Sequence, residues 1–332
     1  MDVNLEEERK ADYQVFRAEG SHYAIGFETA RRADKSIGPM NGWSAEKMRF
    51  AEKCRNVVND VYPEMTEEFR GYAEGAGVAE EELLWHYTLG VTGGCSGIAV
   101  RTPQGLLVGR NYDFFYWENR RHLIFTRPEE GYAHIGMHEG LVGGRFDGLN
   151  EKGLYVSFNG AGPHPDPAQP GLSFHLIVRY LLEKCSDTKE AQEALMSLPV
   201  KEPKSYLVTD ADDAFVAEVH PAKRAVRRMD GDVLLVTNHF VDAGMVPYMR
   251  EWPNSGARYR KLEQYAARIT GYMDGDHADL MREAFRDHEA PLCGHEDGLA
   301  TFWSCIAEPK NRRIFYCLGA PCRNEYQEYF AF

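Results

Sequence analysis

The sequence predicts an α+β protein in which stacked sheets are covered by helices. Three observations carry that prediction. Residues 1–94 read mostly as helices, whereas the chain from Cys95 onward reads as many strands in two runs with helices between them. No internal repeat, low-complexity tract or long linker divides the 332 residues, so one compact body is expected.

The first helix is expected to start at Ser21. Residues 44–62, "SAEKMRFAEKCRNVVNDVY", place Met48, Ala51, Cys54, Val58 and Val61 on one face at helical spacing, with Ser44 as N-cap. Pro63 ends that helix and opens the next, which carries Met65, Phe69, Tyr72 and Ala73. "EGAGV" breaks it, and "AEEELLWHYTLG" sets three glutamates at a helix N-terminus, where the dipole favours them. At Cys95 the period changes. "CSGIAVRT" and "LLVGRNY" are strands joined at Pro103-Gln104-Gly105, and further strands are expected near 122–127, 132–137, 145–149 and 153–159. Helices fit 173–185 and 188–197. "SYLVTD" and "AFVAEVH" form a hairpin around Asp212-Asp213, and "DVLLVTN" is another strand. "SGARYRKLEQYAARI" and the stretch after Asp276 are helical, and the end folds as a hairpin at Pro309-Lys310-Asn311.

Hydrophobic residues at 43% and charged residues at 27% suit a globular chain with a sizeable core. The net charge of −13 disfavours nucleic acid or an anionic membrane as partner. No apolar run is long enough for a membrane span, and the acidic start "MDVNLEEERKADYQ" is unlike a signal peptide, so a cytoplasmic location is expected. The seven cysteines are odd in number and form no CxxC pair, which favours reduced thiols. A zinc site from Cys305, Cys317 and Cys322 is disfavoured, because alternating apolar neighbours make the first two strand core. His134 and His138 have metal-pair spacing only on a helix, and their segment reads as a strand. "GLVGGR" lacks the helix and Lys-Ser/Thr of a phosphate loop.

Cys54, Cys185, Cys305 and Cys317 sit on apolar faces, as small buried hydrophobes do. Cys95 differs. It follows Gly93-Gly94, precedes Ser96, and stands where helices give way to strands. A thiol needs a base or a cation to become thiolate near neutral pH. None of the twelve histidines sits in a recognisable papain-type signature. If the chain is cut before Cys95, the new α-amino group lies within reach of its own side chain. Residues 1–94 would then be a pro-segment of a zymogen, which becomes the small subunit, and 95–332 the catalytic part.

These segments resemble a known family. "GSHYAIGFETA", "EEFRGYAEGAGV", "GGCSGIAV", "GRNYDF", "FDGLNEKGLYVSFNG", "LLVTNHF" and "SGARYRKL", in this order, look like the acyl-coenzyme A:6-aminopenicillanic acid acyltransferase family, with counterparts in the choloylglycine and penicillin V amidases. The resemblance implies the four-layer αββα sandwich of the N-terminal nucleophile hydrolases and autocatalytic cleavage between Gly94 and Cys95. It makes Cys95 the thiol nucleophile, with Arg110 and Asp113 beside it, Asn159 and Asn238 as oxyanion donors and Arg258 as a structural cation. A guanidinium near sulfur favours thiolate, and a carboxylate can orient an α-ammonium. On position alone, Asp113, Asn159 and Asn238 fit turns or caps equally well, and Arg258 fits a helical surface charge. Asn150 reads as a hairpin turn. Phe114, Tyr116 and Trp117 are candidates for an acyl pocket, or ordinary packing.

The resulting expectation is an amidase or N-acyltransferase acting through an acyl-enzyme on a small N-acyl amine, peptide or β-lactam-like substrate, with an acyl thioester as the donor in the transferase case. No metal or organic cofactor is called for. An unprocessed non-enzymatic member of the fold and a papain-type hydrolase are the alternatives. The sequence decides neither the acyl group nor whether the protein is a homo-oligomer.

Overall fold

The computed structural model describes residues 13–32, 42–88, 90, 93–115, 121–162, 168–250, 252, 254–272, 276–295 and 299–332. The N-terminal helices follow the apolar spacing. Helix α1 spans His22–Arg32, α2 Ala45–Val61 and α3 Pro63–Ala76. The Ser44 hydroxyl caps α2 by accepting the Lys47 N–H at 3.2 Å, and Ala51, Cys54 and Val58 are buried. Gly77, at φ +71°, closes α3 in the left-handed conformation. Helices α1 and α3 touch backbone to backbone. A Cβ on Gly26 would lie 2.0 Å from the Glu68 carbonyl oxygen, and one on Gly71 2.0 Å from that of Tyr23. Residues Glu80–Tyr87 form a 3-10 helix.

One segment departs from the helical expectation for residues 1–94. Tyr13–Gly20 is a strand, β1, paired in parallel with β4 (Arg121–Pro128) from Tyr13 opposite Arg121 to Gly20 opposite Pro128. Only Phe16 and Ala18 point into the core, so the local alternation is too weak to announce a strand. Its hydrogen bonds come from a partner about a hundred residues away.

The remaining strands are β2 (Cys95–Thr102), β3 (Gly105–Phe115), β5 (His134–His138), β6 (Asp147–Asn150), β7 (Tyr155–Gly160), β8 (Lys204–Thr209), β9 (Ala214–His220), β10 (Lys223–Arg228), β11 (Val233–Val236), β12 (Leu299–Glu308) and β13 (Arg313–Leu318). They form an eight-stranded sheet in the order β1-β4-β5-β6-β7-β8-β9-β10 and a five-stranded sheet in the order β11-β2-β3-β12-β13. The cationic edge strand β10, "KRAVRR", has no apolar run, and its pairing with β9 makes it a strand.

Helices α4 (Phe174–Lys184) and α5 (Thr188–Ser197) pack on the outer face of the larger sheet, while α6 (Ser255–Thr270) and α7 (His277–Phe285) pack on the outer face of the smaller one. The order of layers is therefore αββα. Contacts such as Tyr155 Oη to Cys305 Sγ at 3.5 Å and Trp303 Nε1 to Asp147 Oδ2 at 2.7 Å join the two inner faces. Cys305 and Cys317 are buried strand residues, and all seven cysteines are unpaired. Among the described residues, no helix is long and apolar enough to cross a membrane.

The N-terminal segment is built into this body. Arg179 of α4 donates to both carboxylate oxygens of Glu68 in α3, at 3.3 and 3.0 Å, and to Glu183 at 2.9 Å. Glu183 also meets His22 Nε2 of α1 at 2.8 Å. Burial alone would raise the Glu183 carboxyl, but the Arg179 guanidinium outweighs it and holds the group below the usual range.

Candidate active site

The β2–β3 hairpin places Cys95 opposite Tyr112 and Gly97 opposite Arg110. Cross-strand partners share a face, so Cys95 and Arg110 both point between the sheets. Arg110 Nη2 donates to Cys95 Sγ at 3.2 Å. Its Nη1 donates to the Phe146 carbonyl at 2.8 Å and to Asp147 Oδ2 at 3.3 Å. Asp147 in turn accepts from Trp303 Nε1 and, at 2.9 Å, from Tyr316 Oη. Four strands thereby fix the guanidinium against the sulfur.

The electrostatic outcome differs from the expectation for this pair. Burial pushes the Cys95 thiol above its ordinary value, and the Arg110 and Arg258 guanidiniums only partly offset it, while Asp113 adds to the rise. The cation lies where it was expected, but the sulfur is stripped of water, and desolvation wins.

Every polar atom of the peptide before Cys95 is held. The Gly94 carbonyl accepts the Asp113 N–H at 2.7 Å. The Cys95 N–H donates to Asn238 Oδ1 at 2.7 Å. One residue on, the Cys95 carbonyl accepts from Arg258 Nη1, which also reaches Ser96 Oγ at 2.9 Å. Arg258 Nη2 donates to Asn238 Oδ1 at 2.7 Å, so the arginine is buried and paired rather than a helical surface charge. Asn238 follows β11. Its N–H donates to Ser255 Oγ at 2.8 Å, at the start of α6, and its Nδ2 donates to the Gly160 carbonyl at 3.0 Å.

Asp113 accepts from Thr301 Oγ1 at 2.5 Å. Burial raises its carboxyl to about 7, against the opposing pull of Arg258, the Thr301 hydroxyl, Arg110 and His295. Asn159 stands on the same face of β7 as Tyr155, toward the smaller sheet. Its amide oxygen and nitrogen are both buried and have no hydrogen-bond partner among the described residues. The two asparagines therefore differ: both polar atoms of the Asn238 amide have partners, with one hydrogen bond from Nδ2, and neither polar atom of the Asn159 amide has one among the described residues.

Phe114 is buried beside Gly93, where a Cβ would come within 2.7 Å of its ring. Tyr116 and Trp117 lie outside the described residues. Asn150, expected as a simple turn, is a buried knot. Its Nδ2 donates to the Leu182 and Cys185 carbonyls at 2.9 and 2.7 Å, and its Oδ1 accepts from Lys152 and Leu154 N–H at 3.0 and 2.9 Å. Asp147, Trp303, Tyr316, Thr301 and Ser255 escaped the sequence reading as site residues. Thr301 meets Asp113 across 188 positions, a distance no local pattern spans.

A family model described as acyl-coenzyme A:6-aminopenicillanic acid acyl-transferase matches residues 100–323. The chain belongs to this family. Among curated relatives, the 40 kDa form of the acyl-coenzyme A:6-aminopenicillanic-acid-acyltransferase of Emericella nidulans is 26% identical over 263 residues, which is 74% of this chain and 72% of the relative. Among solved structures, a point variant of the conjugated bile acid hydrolase from Clostridium perfringens superposes with a TM-score of 0.53 at 16% identity, covering 72% of this chain and 97% of that one. A cysteine-to-alanine mutant of the same hydrolase gives a TM-score of 0.52 at 14% identity over the same shares. At such identities the likeness shows the fold, the αββα sandwich of the N-terminal nucleophile hydrolases.

Proposed function

We propose that the chain cuts itself between Gly94 and Cys95, and that Cys95 then serves as the N-terminal nucleophile of an amide hydrolase or acyltransferase. The observation that carries this reading is the grip on the Gly94–Cys95 peptide, with its carbonyl on the Asp113 N–H, its N–H on Asn238 and Arg110 on the sulfur. In maturation, the Cys95 thiol adds to the Gly94 carbonyl, with the Asp113 N–H on the developing oxyanion. The C–N bond breaks as its nitrogen takes a proton, leaving Gly94 as a thioester on the Cys95 sulfur. Water hydrolyses that ester to a Gly94 carboxylate, a free thiol and a free α-amine.

In turnover, the α-amine takes the thiol proton and the thiolate adds to the substrate amide carbonyl. Asn159, whose amide is otherwise unengaged, donates to the oxyanion. Collapse expels the amine, which takes its proton from the α-ammonium, and leaves a thioester. Water resolves it in hydrolysis, and an amine acceptor resolves it in acyl transfer. Asn238 and Asp113 hold the α-ammonium, and Arg258 holds Asn238. Among the described residues, no histidine is a hydrogen-bond partner of Cys95, which weighs against a papain-type pair.

The names of the relatives suggest small acylated amines and β-lactam amides as substrates. A cleft of about 890 Å³, lined by Trp43, Phe50, Trp85 and Pro170 and also by the charged Glu46, Lys47, Arg49 and Lys53, reaches Gly90, five residues before Cys95, and offers both apolar and charged walls to an acylated substrate. The test is peptide mass spectrometry with a screen of N-acyl amines, peptides and β-lactams. A fragment beginning at Cys95 is expected, and Cys95→Ala should be both uncut and inactive. Intact chain with full activity overturns the proposal.

A further inference from the structure

Four metal-binding side chains meet at one place outside the Cys95 peptide. The loop between α7 and β12 brings His288, Cys293 and His295, and the segment after β13 brings Cys322. One ligand atom from each lies within 4.8 Å of every other. His295 Nε2 stands between the sulfurs, 3.3 Å from Cys293 Sγ and 3.2 Å from Cys322 Sγ. The His288 ring is edge-on to that of His295, with centroids 5.1 Å apart. A tetrahedral zinc ion, with bonds of about 2.3 Å to sulfur and about 2.0 Å to nitrogen, needs ligand atoms roughly 3.3–3.8 Å apart. The thiols and imidazoles are therefore gathered nearly at coordination spacing.

We propose that Cys293, Cys322, His288 and His295 form a Cys2His2 zinc(II) site. Two thiolates and two imidazoles in a closed four-ligand set suit zinc, and four protein ligands leave no position for a reacting water, so the role is structural. Cys293 is buried, Cys322 and His295 are half-buried and His288 is exposed, which leaves a route for the ion from solvent. The His295 Nδ1 lies on the far side, 3.3 Å from Arg323 Nη2. With zinc on Nε2 that nitrogen carries the proton, and the exposed Arg323 side chain turns to solvent. The disfavoured combination of Cys305, Cys317 and Cys322 shares only Cys322 with this site.

The ion would clamp the chain's last segment to the loop that holds the active site in shape. Gly294 sits between two of the ligands. Its carbonyl accepts the Thr301 N–H at 3.0 Å, its N–H donates to Thr301 Oγ1 at 2.8 Å, and that hydroxyl donates to Asp113. Zinc is thus a positioning element for Asp113. This link to catalysis rests on the function proposed above, whereas metal binding does not.

The experiment is elemental analysis of the reduced full-length protein after dialysis against one equivalent of zinc. One zinc per chain is expected, and cobalt(II) in its place should give the intense visible bands of tetrahedral thiolate coordination. Cys322→Ser and Cys293→Ser should drop the stoichiometry toward zero, while Cys317→Ala keeps one. Cys95→Ala should also keep one zinc, so a failure of self-cleavage and a failure of the metal site are distinguishable. Removing zinc should lower Tm and move the acid limb of the activity profile to higher pH, because the Thr301 hydroxyl is no longer held on Asp113. Folded, reduced protein that stays metal-free under these conditions overturns the proposal, as does a Cys293–Cys322 disulfide in protein isolated without reductant.

Discussion

Removing the cation against the Cys95 sulfur should collapse its thiolate population. Arg110 Nη2 lies 3.2 Å from Cys95 Sγ. Unit charges at that separation attract by about 5 kcal/mol at an effective dielectric of about 20. The guanidinium charge is delocalised and shared with Asp147 at 3.3 Å, so about half of this, roughly 2–3 kcal/mol, acts on the sulfur. That corresponds to roughly a 30–150-fold loss of thiolate at fixed pH. Arg110→Met alone would strand the buried Asp147 carboxylate, at a cost of about 3–5 kcal/mol. The informative protein is therefore the double variant Arg110→Met with Asp147→Asn, in which the carboxylate charge goes with the guanidinium. The assay is the rate of iodoacetamide labelling at Cys95 against pH, read by peptide mass spectrometry, with circular dichroism as the check on folding. Labelling near neutral pH should slow by roughly thirtyfold or more, with the profile displaced upward. A folded double variant labelled as fast as the parent refutes the reasoning.

Turnover should rise as pH climbs through about 7, because Asp113 must ionise to hold an α-ammonium and burial has raised its carboxyl to about 7. Thr301→Val removes a hydrogen bond that favours the carboxylate, so this limb of the profile should shift upward; an unmoved limb argues against Asp113 as the titrating group. The same shift has a stability sign. The native state binds this proton more tightly than the unfolded chain, so the contribution is full below the ordinary aspartate range and is lost progressively as pH rises to about 7, and Asp113→Asn should flatten the change in Tm between about pH 4 and 7. After cleavage the two fragments should co-elute in size-exclusion chromatography, held by the β1–β4 ladder and the Arg179 ion pairs, and Arg179→Met should weaken their association by roughly 3–5 kcal/mol. Asn159→Ala, measured on processed protein, should lower kcat roughly a hundredfold or more without loss of fold, whereas Asn150→Ala should lower Tm and leave the kcat of the folded fraction near normal. Parent-like kcat in Asn159→Ala would remove that residue from the oxyanion site.

What the sequence determined by itself was local. Ser44 before a helical face, Pro63 at the next helix start and Pro103-Gln104-Gly105 between β2 and β3 act within a few residues of their own positions, and each element formed where its period placed it. The short motifs likewise held Cys95, Arg110, Asp113, Asn238 and Arg258, which the fold brings together. Tertiary structure alone decided the rest. Strand β1 and strand β10 owe their form to partners rather than to pattern. The net charge preference of Cys95 turned on how much water the stacked sheets exclude, which no spacing reports. Whether Asn159 or Asn238 had an amide to spare depended on Gly160, Ser255 and Arg258 arriving from other strands and a helix. Cys322 met Cys293 and two histidines rather than the strand cysteines nearer to it in the chain. The physical reason is common to all of these. Periodicity reports the environment of a residue within its own element, while hydrogen-bond partners, desolvation and ligand sets are set by which elements the two sheets stack against each other.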